Sequence, residues 1–131
     1  MKLKLNNAFH CPEGKWRGTC EAIEEPNKRM NRPCSKQVRL RFALETHAGE
    51  KIVARTFCAD LSIGGELHAF LDSWLDGNFD PYLDEDGEVD LDLLVGKMAD
   101  LLITHGVKSE EYKFPLVIIA GLFPPGQLVE N

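Results

Sequence analysis

The sequence predicts an all-β fold with one capping helix. Apolar residues alternate with polar ones, a period of two, along residues 37–44, and other stretches on either side of a single segment are rich in strand-forming residues. That segment instead places apolar residues at i, i+3, i+4, i+7 and i+8, the stripe of an amphipathic helix. Proline and glycine clusters separate the stretches, as turns require. A chain of 131 residues fits one domain that buries roughly two-thirds of its unfolded surface.

The first 15 residues are weakly patterned, hold Pro12 and Gly14, and read as an N-terminal arm. Residues 16–25, WRGTCEAIEE, form the first expected strand and stop at Pro26. Pro26 to Ser35 is a polar connection. The second strand is the clearest: Val38, Leu40, Phe42 and Leu44 alternate with Gln37, Arg39, Arg41 and Ala43. His47 to Glu50 turns the chain, and Lys51 to Ala59 is β-branched and aromatic enough for a third strand. The helical stripe is Leu67, Phe70, Leu71, Trp74 and Leu75, with Ser62 as N-cap and Gly77 as stop. An acidic connection spans 76–92, Leu91, Leu93 and Leu94 form a short helical turn, and Gly96 ends it. Lys97–His105 and Tyr112–Leu122 are the fourth and fifth strands, followed by Pro124-Pro125-Gly126 and a tail at 126–131. The order β-β-β-α-β-β over 16–125 is that of a five-stranded OB-like barrel whose helix plugs one end, and it also suits other small barrels and α+β folds.

Composition is that of a globular protein, with 44% hydrophobic and 27% charged residues. No apolar run approaches the roughly 20 residues of a membrane span. The start, MKLKLNNAFH, lacks the apolar stretch of a signal peptide, so a cytoplasmic location is expected. The four cysteines, Cys11, Cys20, Cys34 and Cys58, have irregular gaps and no CxxC pair. They read as reduced free thiols rather than metal ligands.

Charge is divided unevenly in this chain of net charge −6. Residues 28–41 carry Lys28, Arg29, Arg32, Lys36, Arg39 and Arg41 with no carboxylate between Pro26 and Leu44. Residues 76–92 carry Asp76, Asp80, Asp84, Glu85, Asp86, Glu88, Asp90 and Asp92 with no basic residue. If Val38, Leu40, Phe42 and Leu44 fill the interior, Arg39 and Arg41 point outward. Small Gly18, Cys20 and Ala22 suit the interior of the first strand, leaving Arg17 outside. On the third strand Ile52, Ala54 and Cys58 are assigned inward, which leaves Val53, Arg55 and Phe57 outward.

The expected nucleic-acid-binding set is therefore Arg17, Lys28, Arg29, Arg32, Arg39, Arg41 and Arg55 for phosphates, with Trp16 and Phe57 as stacking rings. Cations neutralise phosphates in a salt-dependent way, and a ring stacks on any base for about 1–3 kcal/mol. The ordinary alternative is a solvated strand face, with Phe57 in the core and Trp16 sealing the barrel. Trp74, on the helix stripe, reads as core.

Other chemistry finds little footing. With Gly87 at the sixth position of a calcium loop, Asp84 and Asp86 fit, but Tyr82 and Leu93 occupy the first and twelfth positions. His10, His47, His68 and His105 are scattered, with no Ser or Cys motif tying one to a nucleophile. No catalytic residue, metal or cofactor is expected.

The segments "WRGTCEAIEEPNK", "QVRLRFAL", "LHAFLDSWLDGNFD", "VDLDLLVGKMADLLITH" and "FPLVIIAGLFPPG" together resemble small phage or prophage OB-fold proteins associated with single-stranded DNA and replication. The resemblance covers about residues 16–125 and is densest at "FLDSWL" and "LLVGK". It implies an OB barrel, single-stranded DNA as partner, and replication or recombination proteins as further partners. The closing "GQLVEN" departs from the strongly acidic tail of bacterial single-strand-binding proteins. The other function class is a protein-interaction module in which segment 76–92 and the Leu-rich elements meet a replication or host protein. Oligomeric state and base preference are not encoded in any pattern of the chain.

Overall fold

A computed structural model describes residues 1, 10–26, 34, 36–106 and 116–130. Its strands are β1 (Gly14–Glu24), β2 (Gln37–Thr46), β3 (Gly49–Cys58), β4 (Met98–His105) and β5 (Val117–Phe123), with α1 (Glu66–Trp74) between β3 and β4. Short 3-10 turns occupy Asp80–Tyr82 and Leu91–Leu94. All five strands join one sheet in the order β3-β2-β1-β4-β5, and each pairing is antiparallel. Register shifts fall between Cys20 and Ala22 in β1 and between Leu102 and Ile103 in β4. Such irregularities bend a strand and increase its twist, and the sheet curls until its edge strands β3 and β5 touch.

The concave side holds the core. Val38, Leu40, Phe42 and Leu44 of β2 are all buried, as the alternation requires. Gly18 of β1 faces Leu44, and a Cβ there would lie 2.6 Å from the Ala43 carbonyl oxygen. Only glycine lets the two backbones approach this closely. From the helix, Leu67, Leu71 and Trp74 are buried. Trp74 stands edge-on to Phe42 at 5.4 Å between centroids, and its indole N–H donates to the Met98 carbonyl at 2.9 Å.

Several expectations need correction. The third strand is inverted: Val53 and Phe57 are buried while Ala54 is exposed. The hairpin sets this phase, because Thr46 pairs with Gly49 and the ladder then places Phe57 opposite Val38. Residues opposite one another in an antiparallel pair share a face, so the inward Val38 takes Phe57 inward with it. The small residues Ala54 and Cys58 fit either face and carried no information.

The helix N-cap is Gly65, with no side-chain cap. Ser62 bonds instead to Asp60, through both its N–H and its hydroxyl. Gly77 does close the helix, with φ of 73° and its N–H donating to the Asp72 carbonyl. Cys34 and Cys58 are joined in a disulfide, so the reading of four free thiols holds only for Cys11 and Cys20. The first part of the expected fifth strand, 112–115, lies outside the described residues, as does most of the N-terminal arm.

The segment read as a tail is bonded into the sheet. Asp100 of β4 is fully buried although its strand partner is the outward Arg17. One carboxylate oxygen accepts from Arg17 Nε at 2.9 Å. The other accepts from the backbone N–H groups of Gly126, Leu128 and Val129 at 2.8–3.0 Å. Arg17 also donates to the Val129 carbonyl at 2.6 Å. Residues 126–129 therefore lie as a strap over the outer face of β1 and β4.

Candidate nucleic-acid interface

The outer face of the three-strand meander is set by β2, whose polar residues alternate with buried ones. Arg39 and Arg41 point outward there, as expected. Across the ladders they face Glu24 and Ala22 of β1, and Thr56 and Ala54 of β3. The outward set thus contains two of the expected cations on adjacent positions of one strand, spaced by two residues.

Their electrostatic settings differ. Arg41 Nε lies 2.7 Å from Glu21 Oε1, and a second nitrogen lies 3.9 Å from Glu24. The register shift after Cys20 brings both glutamates to the same cation. Arg39 donates from Nε to the Thr56 hydroxyl at 3.4 Å and forms no ion pair among the described residues. Lys36, at the mouth of the β1–β2 connection, is loosely paired with Glu25 at 3.5 Å, and both are well exposed. Exposed pairs of this kind are worth little and exchange readily.

Two expected phosphate contacts are engaged elsewhere. Arg17 is held between Asp100 and the strap. Arg55 follows the inverted phase of β3 and faces the concave side, not the outer face. Its guanidinium bonds Glu66 at the start of α1 and the Ile119 carbonyl of β5 at 2.9 Å. It also lies 4.6 Å from the centroid of Phe70 and 5.4 Å from that of Phe57. Arg55 thereby joins β3, β5 and α1 at the seam where the curled sheet meets itself.

The rings are likewise placed inside or at an end. Phe57 is 1% exposed and packs edge-on against Phe70 at 5.2 Å, so its expected outward position is corrected. Trp16 is half-buried; its N–H donates to the Pro12 carbonyl at 2.8 Å and its ring stands 5.2 Å from that of His47. It closes the end of the sheet near the β2–β3 turn, away from the Arg39–Arg41 pair. Lys28, Arg29 and Arg32 lie outside the described residues.

The acidic segment is built rather than loose. Asp84 Oδ1 accepts from the N–H groups of Asp86 and Glu88, and Asp90 Oδ1 accepts from that of Asp92. These carboxylates cap their own turns. No cluster of His, Cys, Asp or Glu able to hold a metal occurs among the described residues. No described helix is long and apolar enough to cross a membrane.

The reading of the sequence passed over Asp100 and the Arg55–Glu66 pair. Asp100 was visible as a lone acid inside the apolar run MADLLITH, a pattern that calls for a buried partner. Glu66 carried no comparable signal, since nothing local ties it to a strand 11 residues earlier. Compared with protein-family models, the chain matches none. Compared with curated proteins, it matches none either.

Proposed function

We propose that this protein is an OB-like barrel that binds single-stranded DNA, in a replication or recombination setting, and is not an enzyme. The observation that carries the reading is the strand order β3-β2-β1-β4-β5 with β3 brought to β5 and the helix inserted between β3 and β4. That arrangement is the one an OB barrel needs, and OB barrels bind oligonucleotides on the face of the second and third strands and in the adjoining loops. Here that face carries Arg39 and Arg41, and the adjoining connection carries Lys28, Arg29, Arg32 and Lys36.

The footprint is smaller than the sequence suggested. Arg17 and Arg55 hold the fold together, and Phe57 is core. Arg39 and the connection form the primary phosphate contacts. Arg41 joins only by exchanging Glu21 for a phosphate, which lowers its net contribution. With few rings available, binding depends on phosphate charge and falls steeply with salt.

Anisotropy of a labelled poly-dT strand at two salt concentrations tests this. Binding at low salt is expected, with the logarithmic salt slope reduced by about 0.7 for each cation removed. R39A removes one and K28A/R29A/R32A removes three. Arg39→Ala alters one outward side chain, so the fold persists. Absence of binding at low salt, or identical slopes in wild type and both variants, would refute the assignment.

A further inference from the structure

The stretch 83–98 combines two properties in a short length of chain. Leu83, Leu93, Val95 and Met98 are 40%, 51%, 46% and 46% exposed. Isolated surface leucines are ordinary, but these four fall within sixteen consecutive residues, and the same stretch contains six carboxylates from Asp84 to Asp92. No such density of exposed large apolar side chains occurs elsewhere among the described residues.

The stretch is also held in one shape. Leu83 and Val89 form an antiparallel bridge, and the Asp90 N–H donates to the Tyr82 carbonyl at 2.7 Å. Asp90 then caps the 3-10 turn Leu91–Leu94, whose Leu94 is fully buried and anchors the turn in the core. Beyond it, the Gly96 N–H donates to the Cys20 carbonyl and the Cys20 N–H to the Lys97 carbonyl. Lys97 itself lies over the Tyr82 ring at 5.7 Å. The exposed apolar side chains thus project from a fixed scaffold, which lowers the ordering cost of binding.

We propose that this stretch is a docking site for a protein segment rich in Lys or Arg that also carries two or three large apolar side chains. Charge complementarity selects the occupant. Nucleic acid is repelled by six carboxylates, and an acidic or neutral apolar segment leaves them uncompensated. A basic segment neutralises Glu85, Asp86, Glu88 and Asp92 while its apolar residues cover Leu93 and Val95. Electrostatics governs encounter and the apolar contacts govern residence. Met98 reaches the outer face of the sheet, because it pairs with Thr19 and Thr19 with Ala43, but Leu93 and Val95 lie outside the strands, and the proposal stands whether or not the Arg39 face binds DNA.

The probe is a fluorescein-labelled 14-residue amphipathic helix of Leu and Lys, compared with a peptide of equal charge in which every Leu is replaced by Gln. The full-length chain is expected to bind the Leu-containing peptide at least about tenfold more tightly. The double variant L93S/V95S is expected to lose about tenfold affinity for it. Both changes are at exposed positions, and an unaltered circular dichroism spectrum confirms the fold. Poly-dT binding measured on the same variant separates this site from the Arg39 face, since it should not move. Equal affinity for the two peptides would reduce the site to diffuse charge attraction and overturn the proposal. So would an unaffected double variant. Sedimentation showing that the chain self-associates, and that L93S/V95S abolishes this, would assign the surface to a second copy and overturn it as well.

Discussion

The carboxylate of Asp100 accepts from Arg17 on one oxygen and from three backbone N–H groups on the other, so its replacement by asparagine affects both partners at once. The amide keeps one acceptor oxygen and sets an NH2 group against donors. D100N should destabilise the protein by about 2–3 kcal/mol, read as a lower urea midpoint. The pH dependence follows from the same contacts. Burial pushes this carboxyl up, but the Arg17 guanidinium and the N–H groups of Val129, Leu128 and Gly126 outweigh it and hold it below the ordinary value. The native group therefore binds its proton less readily than the unfolded one. Its stabilisation is fully present above about pH 4 and is lost as pH falls through the lower native value. The urea midpoint of the wild type should drop on that acid side, and the drop should be shallower in D100N. An equal drop in both would assign the acid sensitivity to other carboxylates.

Among the elements, β2 was fully legible, because four large apolar residues at a period of two leave one solution for its faces. α1 was legible for a similar reason, although its start was not, since Ser62 offered cap chemistry but bonds to Asp60. β3 was misread. Its inward face was assigned to Ile52, Ala54 and Cys58; the two small residues do not discriminate, and Ile52 is only half-buried, opposite the outward Ala43. Register in a hairpin passes from one strand to the next through the turn, and a two-residue turn at His47–Ala48 left no freedom once β2 was fixed.

The misreading had a consequence for function, because it put Arg55 and Phe57 on the wrong side. Arg55 instead ties two strands and a helix together. R55M retains the aliphatic stem but removes the bonds to Ile119 and Glu66. A loss of about 1–2 kcal/mol is expected, mostly from the buried carbonyl left without its donor, since the half-exposed Glu66 pair counts for little. Amide exchange should accelerate in β5 more than in β2. Uniform acceleration through the sheet would show that Arg55 does not act at the seam.

For the molecule as a whole, element order was readable because period changes and turn residues mark it. The long-range ties were not, because they join residues far apart in the chain. The strap on Asp100 spans from β4 to 126–129, and the disulfide joins Cys34 to Cys58 across 24 residues. Part of the charge division visible in the sequence serves the fold itself. Of the four strand arginines, Arg17 and Arg55 serve cohesion, Arg41 is shared with two glutamates, and Arg39 is the one held, among the described residues, by a hydroxyl. A count of cations overstates an anionic ligand's footprint whenever folding recruits some of them, and net charge gives no warning of it.

The two cysteines outside the disulfide have a practical consequence. Both are buried, and desolvation pushes each thiol up to about 11, so at neutral pH almost no thiolate forms and none is within reach of a reagent. A maleimide added to the oxidised protein should therefore react only with molecules that have opened. Cys11 would report detachment of the segment before β1, and Cys20 would report rupture at the bend in β1. Mass spectrometry of which site is tagged first would give the sequence of opening events without any engineered label, and immediate modification of both under native conditions would contradict their burial.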